Sequence, residues 1–177
     1  MIQRLLAISL LFLLAGCAPY AKDIKVSTEV GINADISLYQ NYNWLNIITS
    51  LNDPSGEWQP PGFDISNDIR LLIDRELDKR GVHYNTTSPE LAVSFKINVN
   101  MQALKLVKAP KSKQGILINK PDATLMVMLI DVASKNIIWI SKADAEIQEN
   151  IDAELVRKRL DYTITEMFKA LDKKSWF

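Results

Sequence analysis

Residue types that commonly do chemistry are scarce in this chain of 177 residues, which holds one Cys and one His. One thiol excludes a disulfide framework and a multi-Cys metal site, and one imidazole excludes His-rich zinc or iron sites. His83 is the single imidazole for acid–base work, and the neighbouring sequence supplies neither an orienting group nor a substrate pocket. We therefore expect a surface His at a helix end, no catalytic or metal site, and no cofactor.

The sequence before Cys17 indicates covalent modification of its thiol rather than catalysis. An apolar run from Leu5 to Leu14 precedes it, and Ala15 and Gly16 separate the run from the thiol. The run is too short for a bilayer-spanning helix, which needs about 20 residues, but it fits the apolar core of a signal peptide. The sequence Leu-Ala-Gly-Cys resembles a bacterial lipobox, which implies that diacylglycerol is attached to the Cys17 sulfur and that the chain is cut before it.

This interpretation predicts the segments of the chain and its location in the cell. Residues 1–16 are predicted to be a lipoprotein signal peptide, residues 17–22 the lipidated Cys and a short tether, and residues 23–177 one α+β domain. More than one acyl chain on Cys17 would hold the domain stably on a membrane. Ala18 resembles an outer-membrane sorting signal, so we expect the periplasmic face of that membrane, with the inner membrane or the cell surface as alternatives.

Five further side chains are candidates for partner binding. Trp58 lies in the Pro- and Gly-rich stretch Asn46–Phe63, where a loop aromatic is either a lid on the core or an anchor for a partner. The others form a basic loop around Pro110 that is either solvated or meets anionic lipid head groups or peptidoglycan carboxylates; they are Lys105, Lys108, Lys111 and Lys113. Basic and acidic residues number 21 each, so nucleic acid is not an expected partner.

The elements that carry these residues follow from hydrophobic periodicity. Leu91–Met101 alternates strictly between apolar and polar residues and predicts a strand with one buried face. Ala123–Val132 is almost continuously apolar, and Ile137–Ile147 completes a hairpin with it. Apolar stripes at helical spacing predict helices over 65–80 and 151–173.

Two more strands are expected near the start of the domain, at residues 24–30 and in the latter half of 36–45. The resulting order is ββαβββα. Strands joined by turns favour an antiparallel sheet, and two helices with one apolar stripe each pack on the same face of it. The predicted fold is a two-layer α+β sandwich.

The arrangement of these residues resembles a family of bacterial lipoproteins known as domain of unknown function 4136. The likeness rests on four features. A strand ends in an aromatic pair, Tyr42-Asn43-Trp44, and a helix with the apolar residues Ile69, Ile73 and Leu77 ends at Gly81. A strand begins with Pro and an acid in Pro89-Glu90-Leu91-Ala92-Val93, and an apolar strand with Asp, Leu129-Ile130-Asp131-Val132, leads to a strand that carries Trp139. The chain departs from the family pattern at Ser134-Lys135-Asn136 and Ile140-Ser141, where Gly is usual. The resemblance implies a location and a fold, and no catalytic residues.

Three functions are compatible with these features. The first is a non-catalytic binding or assembly module on a lipid tether, with an envelope protein or peptidoglycan as partner, gripped by the open face of the sheet or by the Asn46–Phe63 loop. The second is a carrier of a lipid or other apolar ligand between helices and sheet. The third is a cell-wall-acting enzyme, which needs a cleft with converging carboxylates. Without a motif for chemistry, we expect the first and no enzyme.

Overall fold

The computed structural model describes residues 19–31, 35–45, 50–59, 62–109, 114–148 and 152–172. In this part of the chain two helices, α1 and α2, lie on one face of a seven-stranded sheet, and a separate two-stranded ribbon stands apart from it. The elements in chain order are β1 Lys25–Val30, β2 Asn41–Trp44, β3 Ser50–Asn52, α1 Ile65–Asp78, β4 His83–Tyr84, β5 Leu91–Asn100, β6 Leu104–Lys108, β7 Gly115–Asn119, β8 Asp122–Asp131, β9 Ile137–Glu146 and α2 Ala153–Phe168. Among the described residues, no helix combines the length and apolarity that crossing a bilayer requires.

The sheet is mixed, so the antiparallel prediction is only partly right. Its strand order is β1-β9-β8-β5-β2-β4, and β3 pairs with a later part of β5. The pairs β1–β9, β9–β8 and β8–β5 are antiparallel, whereas β2 and β3 run parallel to β5 and β2 runs parallel to β4. The reason is the crossover through α1, because a helix that returns the chain to the same end of a sheet makes the strands parallel.

The predicted order ββαβββα also misses strands. β3 lies inside the stretch interpreted as a long loop, and β4 lies in the polar turn after α1. The stretch interpreted as a basic loop contributes β6 and β7, which pair from Leu104↔Asn119 to Lys108↔Gly115 as a hairpin outside the main sheet. The two short strands are held by pairing with β5 and β2, a tertiary effect that local propensity does not contain.

Both helices begin where a side-chain cap satisfies an unpaired backbone N–H. The Asp64 carboxylate accepts a hydrogen bond from the Asn67 N–H (3.1 Å), and the Asp152 carboxylate accepts one from the Leu155 N–H (2.7 Å). After α1, Gly81 has φ +77°, the left-handed conformation that Gly adopts without steric cost, as the sequence predicted.

The core lies between the helices and the sheet. One face of β5 is buried along its whole length, as the strict alternation predicted. Trp139 of β9 and Phe168 of α2 are fully buried, with ring centroids 5.0 Å apart. Tyr42 and Trp139 are therefore core residues, and the partly buried Trp44 packs against the same core. These rings hold the helices close to one half of the sheet.

Candidate functional site

An apolar cavity of about 480 Å³ lies between the helices and the other half of the sheet. Its floor is formed by the ends of β5, β8 and β9, and its roof by α1 and α2. Aliphatic side chains from all five elements line it, among them Ile69, Leu125, Ala143, Val156 and Leu160. Pockets for small molecules typically enclose about 300–1,000 Å³ with mostly apolar walls. The cavity therefore has the size and lining of a site for an apolar ligand.

The cavity exists because small side chains occupy one end of the sheet. Ala123 of β8 and Ala143 and Ala145 of β9 all line its floor. At the opposite end of the same two strands, the paired residues Leu129 and Trp139 fill the space under the helices. Since the sheet and helices are rigid layers, the missing side-chain volume on the alanines leaves an opening.

Trp58 covers part of this opening. Its side chain is partly buried, lines the cavity and packs against the core cluster. The preceding turn is fixed by Asp53, whose carboxylate accepts hydrogen bonds from the Trp58 N–H (3.0 Å), the Gly56 N–H (3.1 Å) and the Ser55 hydroxyl (3.0 Å). Desolvation acts to raise the pKa of Asp53, but these hydrogen bonds hold it below its usual range. Of the two roles considered for Trp58, a lid on the core and an anchor for a partner, this packing fits the lid.

A buried ion pair closes one side of the cavity. Arg159 of α2, which lines it, donates two hydrogen bonds to Asp23, from Nη1 to Oδ1 (2.9 Å) and from Nη2 to Oδ2 (2.6 Å). Arg159 also donates to the backbone carbonyls of Tyr20 and Glu146. Desolvation acts to raise the pKa of Asp23, but the hydrogen bonds from Arg159 and from the Glu146 N–H, together with the Arg159 charge, outweigh it and lower the pKa. Because its charge is matched, Arg159 presents little unpaired positive charge to a ligand.

Glu146 extends this network to the base of the β6–β7 hairpin. Its backbone N–H donates to Asp23 Oδ2 (2.9 Å), and its carboxylate binds Lys105 Nζ (2.8 Å) and Lys120 Nζ (2.7 Å). The two lysine hydrogen bonds hold the pKa of Glu146 below its usual range. Sequence reasoning missed this network, because Asp23, Lys105, Glu146 and Arg159 come from four distant segments.

Of the four lysines predicted to form a basic site, two lie among the described residues. The Lys105 ammonium forms an ion pair with the Glu146 carboxylate, while Lys108 is exposed at the far end of β6. Lys111 and Lys113 lie outside the described residues, as does Cys17. Among the described residues of this hairpin, Leu106 and Leu117 are exposed aliphatic side chains, a feature that the lysine count concealed.

His83 lies on the surface next to the end of α1, as predicted. Its Nδ1 is 3.0 Å from Asp78 Oδ1, and both side chains are more than half exposed. Within the part of the chain that the structure describes, no three His, Cys, Asp or Glu side chains are grouped to hold a metal ion. The His–Asp contact is an exposed pair of the kind that contributes little to stability.

A polar cluster missed by the sequence analysis joins α1 to β2. Asp74 accepts hydrogen bonds from the Tyr42 hydroxyl (2.5 Å) and the Trp44 Nε1–H (3.1 Å). The Arg70 guanidinium lies over the Trp44 ring, 5.0 Å from its centroid. Desolvation and the negative charge of Asp74 raise the pKa of Tyr42 far above its usual value. These contacts satisfy the polar ends of core aromatics.

The face of the sheet opposite the helices is partly exposed, although Ser94 of β5 on this face is fully buried. Its centre carries Met126, Met128 and Ile130 of β8 beside Ile140 of β9, all of intermediate exposure. No helix in the described part of the chain lies across this face. A half-exposed apolar stripe of this kind is a candidate contact surface for another protein.

Fold and cavity together define a class of protein, the two-layer α+β domains with an apolar space between helices and sheet. The sequence matches the family described as Domain of unknown function (DUF4136) over residues 26–171, and the chain belongs to that family. This confirms the resemblance drawn from the sequence motifs. No curated protein is similar enough in sequence to count as a relative.

Structural comparison finds similarity to solved structures from several bacteria. The PelC dodecamer from Paraburkholderia phytofirmans is similar with a TM-score of 0.50 and 10% identity, covering 86% of this chain and 99% of that chain. A DUF4136 family protein from Bacteroides thetaiotaomicron has a TM-score of 0.54 and 9% identity over 82% and 96% of the two chains. A minor lipoprotein from Acinetobacter baumannii has a TM-score of 0.37 and 12% identity over 76% and 93%. At these identities the first two likenesses show the fold.

Proposed function

We propose that this chain is a lipid-anchored envelope lipoprotein that binds one apolar ligand, such as a fatty acyl chain, without catalysis. The observation that carries the proposal is the cavity of about 480 Å³ between helices and sheet. Burying an apolar molecule there yields roughly 25 cal/mol for each Å² removed from water. This is the second of the three functions compatible with the sequence, and a fully packed core would have contradicted it.

The distribution of polarity supports a ligand with an apolar body and a polar end. The deep walls are Ile, Leu, Val and Ala, while Gln59 and Gln148 lie exposed at the rim. Arg159 is neutralised by Asp23, so a carboxylate has no free cation to meet inside. The acyl part of the ligand therefore supplies the affinity, and the polar end remains near the rim.

Anchoring at a membrane complements this function. Acylation of Cys17 holds the domain at the periplasmic face of the outer membrane, where acyl chains are the abundant apolar molecules. The support for this anchor is the lipobox-like sequence and the family of the chain. In this proposal no nucleic acid and no cofactor take part.

The ligand proposal is tested by titrating the protein with a naturally fluorescent polyene fatty acid. Ala143→Leu fills the floor of the cavity and is expected to reduce the affinity at least tenfold. Ala92→Leu, on the opposite face of the sheet, is the matched control and leaves the affinity unchanged. Equal affinity in both variants contradicts the proposal, provided that circular dichroism shows both to be folded.

A second candidate is the binding or assembly module expected from the sequence. It is supported by the half-exposed apolar stripe on the open face of the sheet, and by PelC, a protein of similar fold that forms a dodecamer. Ile140→Asp places a charge in the middle of the stripe. The mass of the wild type in light scattering is then expected to exceed that of the variant, and identical monomer masses contradict this candidate.

A further inference from the structure

The β6–β7 hairpin exposes more aliphatic surface than a water-facing ribbon tolerates. Leu104, Leu106 and Leu117 are 64%, 73% and 65% exposed. They share one face of the ribbon, because Leu106 pairs directly with Leu117 and Leu104 lies two residues from Leu106. A two-stranded ribbon with such side chains in water is marginally stable and prone to aggregate. We therefore expect these leucine side chains to contact an apolar environment rather than water.

Apart from Lys105 at its base, the opposite face of the ribbon is also aliphatic. Val107 pairs with Ile116, and Ile118 lies beside Lys105. Ile116 and Ile118 are 42% and 37% exposed. A flat protein surface covers only one face of a ribbon, whereas the interfacial region of a bilayer surrounds it. Aliphatic side chains on both faces favour lipid.

The hairpin begins next to the segment that leads to Cys17. Lys105 and Lys120, which flank its base, both bind the Glu146 carboxylate, and the Glu146 N–H binds Asp23. Asp23 lies six residues after Cys17. Six residues span at most about 20 Å even when fully extended. An acyl anchor on Cys17 thus holds the base of the hairpin close to the membrane surface.

The charge of Lys108 and the unpaired backbone groups of the ribbon determine how deeply the hairpin lies in the membrane. Lys108, at the end of β6, can reach anionic head groups while its stem stays beside the leucines. Each strand of the ribbon has one edge without a strand partner in the described chain. Unpaired backbone groups cost several kcal/mol in the hydrocarbon core, but water and head groups satisfy them at the interface. Both features favour an interfacial position over a deep one.

We infer that the β6–β7 hairpin is a membrane-docking element that lies in the interface of a phospholipid bilayer with Leu104, Leu106 and Leu117 toward the acyl chains. The inference rests on the proposed anchoring for its geometry. It adds to that proposal a second contact, which orients the domain so that the turn between β8 and β9, at the other end of β8, points away from the membrane.

The test uses the full chain, purified from membranes and reconstituted into vesicles of phosphatidylethanolamine and phosphatidylglycerol. Leu117→Cys carries an environment-sensitive fluorophore, and Ser134→Cys, in the turn between β8 and β9, carries the same label as the matched control. Both positions are exposed, so neither substitution disturbs the core. A lipid-bound spin label near the head groups quenches fluorophores that enter the interface.

We expect a several-fold greater loss of emission at position 117 than at position 134. Equal quenching, or no quenching at position 117, overturns the inference. A label at position 117 that is shielded from water but not quenched by lipid also overturns it and indicates a second copy or another protein. The unsubstituted chain tests the anchor separately, because Cys17 takes up the label only if it is not acylated. The emission and quenching of the labelled unsubstituted chain are subtracted from those of both variants, so that quenching at position 117 is read separately from the state of Cys17.

Discussion

Arg159 of α2 and Asp23, before β1, form a two-point ion pair at the edge of the cavity, with Nη2–Oδ2 at 2.6 Å and Nη1–Oδ1 at 2.9 Å. Arg159 is 7% exposed. The pair joins α2 to the segment that follows the predicted lipid anchor. It closes the cavity on one side and ties the anchor, through Glu146, to the hairpin.

Asp23→Asn is expected to lower the free energy of unfolding by about 3 kcal/mol, because it leaves a buried guanidinium without its carboxylate. Urea denaturation measures this change. Glu154→Gln is the control, since it removes an exposed ion pair with Lys158 and costs less than about 1 kcal/mol. Similar losses in the two variants contradict the structural importance of the Asp23 pair.

Glu76 is expected to make the free energy of unfolding sensitive to acid. This side chain is 3% exposed and binds Lys79 and Arg75 at 2.8 Å and Arg80 at 3.0 Å. Desolvation acts to raise its pKa, but the three cations outweigh it and lower the pKa from 4.5 to about 2. A lowered folded-state pKa means that the ionised carboxylate stabilises the fold above pH 4.5 and that this contribution is lost as the pH falls toward about 2.

The measurement compares the wild type with Glu76→Gln, which mimics the protonated acid. The wild type is expected to be the more stable at neutral pH, and the difference in free energy of unfolding is expected to shrink through the acid window. A difference that stays constant from neutral pH to about pH 2 contradicts the pKa assigned to Glu76.

Trp58→Ala is expected to weaken apolar-ligand binding about tenfold, the equivalent of about 1.4 kcal/mol. The indole covers the cavity, and its removal re-exposes the ligand to water. Titration with the fluorescent fatty acid measures the change, and Leu38→Ala, at an exposed site away from the cavity, is the control. Unchanged affinity in Trp58→Ala contradicts the role of a lid.

Cys17→Ala is expected to abolish incorporation of radioactive palmitate by growing cells, because the thiol is the proposed site of acylation. The wild type, expressed at the same level, is expected to label. Equal labelling of both chains removes the lipid anchor from the proposed function and leaves the cavity unaffected.

The long elements were predictable from sequence, because β5, β9, α1 and α2 have clear periodicity and β8 is a long apolar run. β3 and β4 were not, since three and two residues carry no pattern and depend on neighbouring strands. The hairpin was obscured by its lysines and by Pro110 and Gly115, which indicate a loop.

The cavity was anticipated only as an alternative. Alanines in a strand are ordinary in sequence, and the space above Ala143 and Ala145 becomes visible only when the helices are in place. The hydrogen bonds that Asp23 accepts from Glu146 and Arg159 join segments more than 100 residues apart and leave no local signal.

The most direct test is a crystal structure of the protein with a fatty acid that carries bromine on its acyl chain. Anomalous scattering locates the bromine without interpretation of the surrounding density. We expect a bromine peak inside the cavity, between Ala143 and Leu160, and its absence in Ala143→Leu. Bromine found only on the outer surface, or at the same place in both proteins, contradicts the cavity as a ligand site.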